Sequence, residues 1–201
     1  AAALERHDRD EALLRSKELL ESSPTPLGLG VREAVEEAIF IQANNRIFGV
    51  IFWFMVLGAG GAWLYRVSDM LRRRAAFEAA RQGLPRISGD LGSVLAFVHG
   101  VLSWLPARLT ALAYALAGSF EDAVGNWRSA VERVGPATGV LDRSEDLLAR
   151  VGKGSLQPSL AAANPETLDV ATARGAWRIV QRSLWIWVAV IAFRVITGAA
   201  V

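Results

Sequence analysis

IFGVIFWFMVLGAGGAWLY, residues 47–65, is a run of 19 uncharged residues. Wound as an α-helix, a run of that length covers about 28 Å, close to the apolar thickness of a bilayer. A helix buried inside a large soluble protein is the alternative reading of such a run. With two further apolar regions in only 201 residues, too little polar sequence remains to cover them. The run reads as a membrane span. The fold class that follows is an all-α integral membrane protein with about three to four hydrophobic segments and short amphipathic helices outside the membrane.

Toward the N-terminus, residues 1–46 form a polar amphipathic region. DRDEALLRSKELLES (8–22) sets leucines among charges and reads as an amphipathic helix ended by SSPTP (22–26). A second helix is predicted from Val31 through REAVEEAIFIQANN, with Glu33, Glu36 and Glu37 on its early turns, where the helix dipole favours acids. The sequence begins AAALERHDRD without an initiating methionine, and further spans are expected upstream of it.

In the run itself, Gly58, Gly60 and Gly61 with Ala59 and Ala62 permit close helix approach, while Trp63 and Tyr65 suit an interfacial belt. A basic connection follows over 66–86. Arg66, Arg72, Arg73, Arg74, Arg81 and Arg86 outnumber Asp69 and Glu78 there, which by the positive-inside rule places it in the cytoplasm. The second region, LGSVLAFVHGVLSWLPARLTALAYALAG (91–118), is predicted to break at Pro106, as a kink or a re-entrant pair, because proline removes a backbone donor. It closes a membrane region spanning 47–118.

Residues 119–183 are polar and read as a helical extramembrane region. Its helices are expected at 119–134 and 141–151, with a loop marked by Gly152, Gly154 and Pro158. A new helix is capped by Asn164 with Pro165 at its first position. LWIWVAVIAFRVITGAAV (184–201) is the C-terminal transmembrane helix, interrupted by Arg194. Arg174, Arg178 and Arg182 favour a cytoplasmic start for it, which leaves the topology of 87–118 and the side of the 119–183 loop open.

Composition narrows the function. There is no cysteine and there are two histidines, so thiolate chemistry and a conventional zinc cluster are excluded, and no metal or cofactor is expected. The net charge of +2 is small, and the arginine run lacks an aromatic platform or nucleic-acid module, so no nucleic-acid partner is expected. GLGVRE (28–33) and GKGS (152–155) lack the residues of a phosphate loop.

NNRIFGVIFWFMVLGAGGAWLYR (44–66), LSWLPARLTALAYALAGSFEDAVGNWR (102–128) and the final tryptophan-rich span resemble the AmpE/CobD family of bacterial inner-membrane proteins. FWFMVLGAGGAWLYR matches that family's F-W-x-x-x-x-G-x-x-G-x-x-x-Y-R pattern, and WLPARLTAL its W-x-P-A-R-L segment. The resemblance implies one of two activities. One branch is an ATP-dependent adenosylcobinamide-phosphate synthase, a ligase. The other is AmpE-like, a sensor or signal transducer linked to beta-lactamase induction.

The synthase branch carries E-N-x-S-D-G before its F-W and an Asp-Asp pair before P-A-R-L. Aligned without gaps, the first two acids fall at Ile41 and Asn45 and the pair at His99 and Gly100. Mg²⁺-nucleotide chemistry needs carboxylate oxygens. The AmpE-like reading is therefore preferred: a multi-pass inner-membrane regulatory protein without a catalytic site, set among membrane lipids and a protein partner. An accessory subunit of a larger membrane complex is the alternative, and the ligase ranks behind both.

Six residues are candidates for a ligand or internal polar site. Arg108 sits in apolar surroundings and requires an anion or an internal carboxylate, with Glu121 a partner if the chain folds back. The structural alternative is a salt bridge or an interface snorkel. Asn44, Asn45 and Arg46 stand where the resemblance places synthase chemistry, although a helix entering the interface also looks like this. His99 is a lone histidine in an apolar run, more often a packed hydrogen-bonding residue than a relay. Trp53, Trp63, Trp104, Trp185 and Trp187 are expected as interfacial anchors.

Overall fold

The computed structural model describes residues 31–81, 90–132, 139–161 and 168–198; the expected helix at 8–22 and the Asn164 cap lie outside them. The described residues are helical almost throughout. In chain order they form α1 (Val31–Ala43), a π-helical turn (Asn44–Phe48), α2 (Gly49–Arg81), α3 (Asp90–Ala117), α4 (Phe120–Glu132), α5 (Val140–Ala161) and α6 (Leu168–Ile196). Stretches of three kinds, Ala34–Ala79, Leu91–Ala117 and Thr172–Ile196, are long and apolar enough to cross a membrane. Trp63, Phe97, Trp185, Phe193 and Ile196 are each more than 60% exposed. So much large apolar surface fits lipid and not water. The protein is an all-helical membrane protein.

The run 47–65 is not the one straight helix expected of it. Gly58 has φ 65° and ψ −155°, and the chain turns back on itself there. Tyr65 Oη donates to Asn45 Oδ1 at 3.3 Å across 20 residues. In one straight helix those residues would stand about 30 Å apart. The arm before Gly58 and the arm after it therefore lie side by side. The Tyr65 ring occupies the space beside Gly49 where a Cβ would stand. Gly61 is as tightly placed, since a Cβ there would lie 2.7 Å from the Trp53 carbonyl oxygen. Tyr65 is consequently buried inside the hairpin and is not an interfacial residue.

Of the two forms expected at Pro106, the re-entrant pair of half-helices is corrected: α3 runs through it as one helix. A proline at 106 cannot donate to the carbonyl four residues back, that of Leu102. That carbonyl instead accepts the Trp53 indole N–H at 3.0 Å. A side chain from the hairpin thus supplies the missing donor, which gives Trp53 a structural task beyond anchoring. Along α3 the residues alternate by face. Leu91, Val94, Val98, Val101, Leu105 and Leu109 are exposed, while Ala96, His99, Ser103, Ala107, Thr110 and Tyr114 are buried.

The glycines and proline expected to end a helix near 152 do not: α5 continues through Gly152, Gly154 and Pro158. Gly152 and Gly154 are places of close approach. A Cβ on Gly154 would lie 2.9 Å from the Asp122 carbonyl oxygen, and one on Gly152 would enter the Phe40 ring. That is why a helix with Ser144, Glu145 and Ser155 on it can sit at the centre, packed on α1, α3, α4 and α6. Its apolar residues Leu147, Leu148, Val151 and Leu156 join the core. α6 closes the bundle, with Trp187 buried and stacked on Phe48 at 6.0 Å rather than anchoring at an interface.

Gly152→Ala should accordingly lower stability by about 1–3 kcal/mol through overpacking. Gly125→Ala, on a helix with nothing within 4 Å of the new Cβ, should be neutral to stabilising by up to about 1 kcal/mol. Thermal unfolding of the two variants in the same detergent checks the contrast.

Candidate functional site

The base of the hairpin holds a buried polar cluster that bridges α2, α3 and α5. It begins with the π-helical turn at 44–48, where the Gly49 N–H bonds to the Asn44 carbonyl five residues back. Such widened turns re-aim side chains and recur at functional sites. Here the turn buries the two consecutive residues Asn44 and Asn45 and leaves Arg46 exposed.

The neutral half of the cluster is built around a hydroxyl. Tyr65 Oη lies 3.2 Å from Ser103 Oγ as well as donating to Asn45. Asn44 Nδ2 donates to Asn45 Oδ1 at 3.2 Å and to Ser103 Oγ at 3.4 Å. Asn44 Oδ1 and Asn45 Nδ2, both buried, have no hydrogen-bond partner among the described residues. The site therefore offers one unused acceptor and one unused donor from adjacent residues.

The charged half is centred on Asp69, which is fully buried. Arg72 donates to Asp69 Oδ1 at 2.9 Å and Arg73 Nε to Oδ2 at 2.8 Å, with Arg66 at 3.5 Å from the same carboxylate. Arg72, 5% exposed, reaches on to Glu145 of α5 at 3.2 Å. Arg73 reaches back to Gln42 of α1 at 3.0 Å. Ser68 spends its single proton on the Tyr65 carbonyl at 2.8 Å, so at 3.0 Å it accepts from His99 Nδ1. His99 Nε2 then faces Asp69 Oδ1 at 3.7 Å without a hydrogen-bond partner. Arg72 Nε is likewise buried and has no hydrogen-bond partner among the described residues.

Three of the six residues proposed from sequence, Asn44, Asn45 and His99, come together here. The other three stand elsewhere. Arg46 points outward. Arg108 lies on α3 over its own neighbour Trp104, 4.0 Å from the ring centroid, and donates to the Trp104 carbonyl at 2.9 Å. Its charge is met by an aromatic face and a helix carbonyl, not by an internal carboxylate. Glu121 is exposed in the first turn of α4.

Tyr65, Ser68, Asp69, Arg72, Arg73 and Glu145 were not singled out by sequence reasoning. One signal was available for the acid. Asp69 is the lone carboxylate between Arg66 and Arg74, spaced three before Arg72, four before Arg73 and three after Arg66, the neighbouring positions on a helix. The run is thus in part an internal pairing device rather than a solvated cationic connection. Among the described residues no group of three or more His, Cys, Asp or Glu stands together as a metal site.

Comparison with known proteins adds the lineage. The sequence profile described as "Regulatory signalling modulator protein AmpE" matches residues 5–201. The chain is 34% identical over 130 residues to a "Cobalamin biosynthesis protein CobD" of Stutzerimonas stutzeri, covering 64% of this chain and 41% of that protein. To a protein of the same description from Chromobacterium violaceum it is 31% identical over 182 residues, covering 85% of this chain and 55% of the relative. To "Protein AmpE" of Shigella flexneri it is 28% identical over 207 residues, 99% of this chain and 66% of that one. The chain therefore spans roughly two fifths to two thirds of these relatives. No solved structure matches it.

Proposed function

Because the chain belongs to the AmpE family, we propose that it works as a multi-pass regulatory or sensor protein of the bacterial inner membrane, acting through a protein partner rather than by catalysis. One observation carries the choice against ligase chemistry. The buried carboxylates at the site are already neutralised by protein: Asp69 by Arg72 and Arg73, and Glu145 by Arg72. A nucleotide-dependent ligase needs carboxylate oxygens turned toward Mg²⁺. Here the same oxygens hold the hairpin to α5. A site whose strong pairs join α2 to α5 is suited to reporting a shift in their packing, since loss of one pair leaves a buried charge uncompensated.

The likeness to two proteins described as CobD keeps cobinamide-phosphate synthesis as the second reading. Deleting the gene in the source bacterium separates the two. The regulatory reading expects altered beta-lactamase induction on beta-lactam challenge, unchanged corrinoid synthesis, and purified protein that carries a stoichiometric protein partner and no corrinoid. Loss of corrinoid synthesis with unchanged induction would overturn it in favour of the ligase. Unchanged phenotypes with a stoichiometric membrane complex would instead favour an accessory subunit.

A further inference from the structure

The reversal at Gly58 has a consequence for how the chain meets the membrane. Both ends of the uncharged run 47–65 return to the same cluster, since Asn45 and Tyr65 are hydrogen-bonded. The charged residues Arg46, Arg66, Arg73 and Arg74 accordingly gather at one end of the hairpin, and no charge lies between Arg46 and Arg66. The other end presents Phe54, Leu57, Trp63 and Leu64, 47–68% exposed. From Arg46 to Gly58 is 12 residues, about 18 Å of helix, against a hydrocarbon core of about 30 Å.

We propose that residues 47–65 form a re-entrant hairpin that enters the bilayer and leaves by the same side, its Gly58 tip packed in lipid acyl chains. The occupant of the apolar tip is lipid, on two observations. The tip stands beside α6, where Arg194 donates to the Met55 carbonyl at 3.4 Å, and α6 is itself long and apolar enough to cross a membrane. The exposed tip is thereby continuous with the exposed apolar face of α6 at Phe193 and Ile196. At the base, exposed Arg46 and Arg74 complement anionic headgroups. Backbone polarity opposes the arrangement only at the turn, where Arg194 donates to the Met55 carbonyl, because both arms are otherwise helical. The inference is independent of the regulatory reading, since it concerns topology alone.

The 201-residue sequence has no cysteine, so an introduced thiol is the single label within it. In the full-length protein, Arg46→Cys and Arg74→Cys are each challenged with a membrane-impermeant maleimide on intact spheroplasts and on inverted vesicles, with detergent-solubilised protein as the measure of full reactivity. Both thiols are expected to react from the same side. Reaction from opposite sides would make 47–65 a simple span and overturn the hairpin. The tip is read separately with a nitroxide on Gly60→Cys, a position with nothing within 4 Å of its Cβ. Collision with oxygen well above collision with a nickel chelate is expected. A dominant nickel signal, placing the tip in water, or low access to both, placing it against protein, would overturn the lipid assignment.

Discussion

Replacing Asp69 by alanine should cost about 3–5 kcal/mol, the loss typical of removing one partner from a buried ion pair. The magnitude follows from what is left behind. Asp69 is fully buried and accepts from Arg72 at 2.9 Å and from Arg73 at 2.8 Å, with Arg66 nearby at 3.5 Å. The variant removes the carboxylate that these guanidinium groups share, while burial of Arg72 persists. Glu145 at 3.2 Å remains as the acid paired to Arg72 across the interface with α5. Asp69→Asn keeps the shape and one acceptor but not the charge, so it should fall between wild type and alanine. The comparison is Arg81→Ala, which removes a 4.0 Å pair with Glu78 whose side chains are 67% and 59% exposed. That change should cost about 0–1 kcal/mol, because water screens the pair and holding two long side chains together costs entropy. Unfolding of the three variants in one detergent tests the order. Equal losses for Asp69→Ala and Arg81→Ala would show that the cluster is solvated.

Gly58→Ala should destabilise by about 1–3 kcal/mol although nothing crowds the new methyl group. The cost is conformational: φ 65° with ψ −155° lies in a region that side chains other than glycine's scarcely enter. Gly60→Ala, two residues on and equally uncrowded, should go the other way by up to about 1 kcal/mol, since alanine is the better helix former. Opposite signs at two neighbouring glycines are the mark of a chain reversal. A straight helix through 47–65 would predict stabilisation at both, so matching stabilisation in thermal unfolding would remove the hairpin from the fold.

The helices themselves were legible along the chain. The helices expected from Val31 onward and over 119–134 match α1 and α4 closely, because helical periodicity is a local property of composition. The two expected breaks were misplaced for a common reason. Pro106 looked like an interruption because the group that compensates it, the Trp53 indole, comes from another helix. Gly152 and Gly154 looked like a loop because the neighbours that require a missing side chain, Phe40 and Asp122, are remote in sequence.

By itself the sequence determined that this is a helical membrane protein of the AmpE/CobD lineage, and it marked Asn44, Asn45 and His99. Hydropathy is a sum over neighbouring residues, and such a sum suffices for membrane burial. It carries no direction, however, so 19 uncharged residues read alike whether they form one straight helix or a helical hairpin. That difference rests on the backbone torsions of Gly58 alone. Only the tertiary structure turned an arginine run into a buried cluster. The cost of burying Asp69 and Arg72 is offset by partners on the same helix and on α5, and that compensation exists only once those elements are packed together.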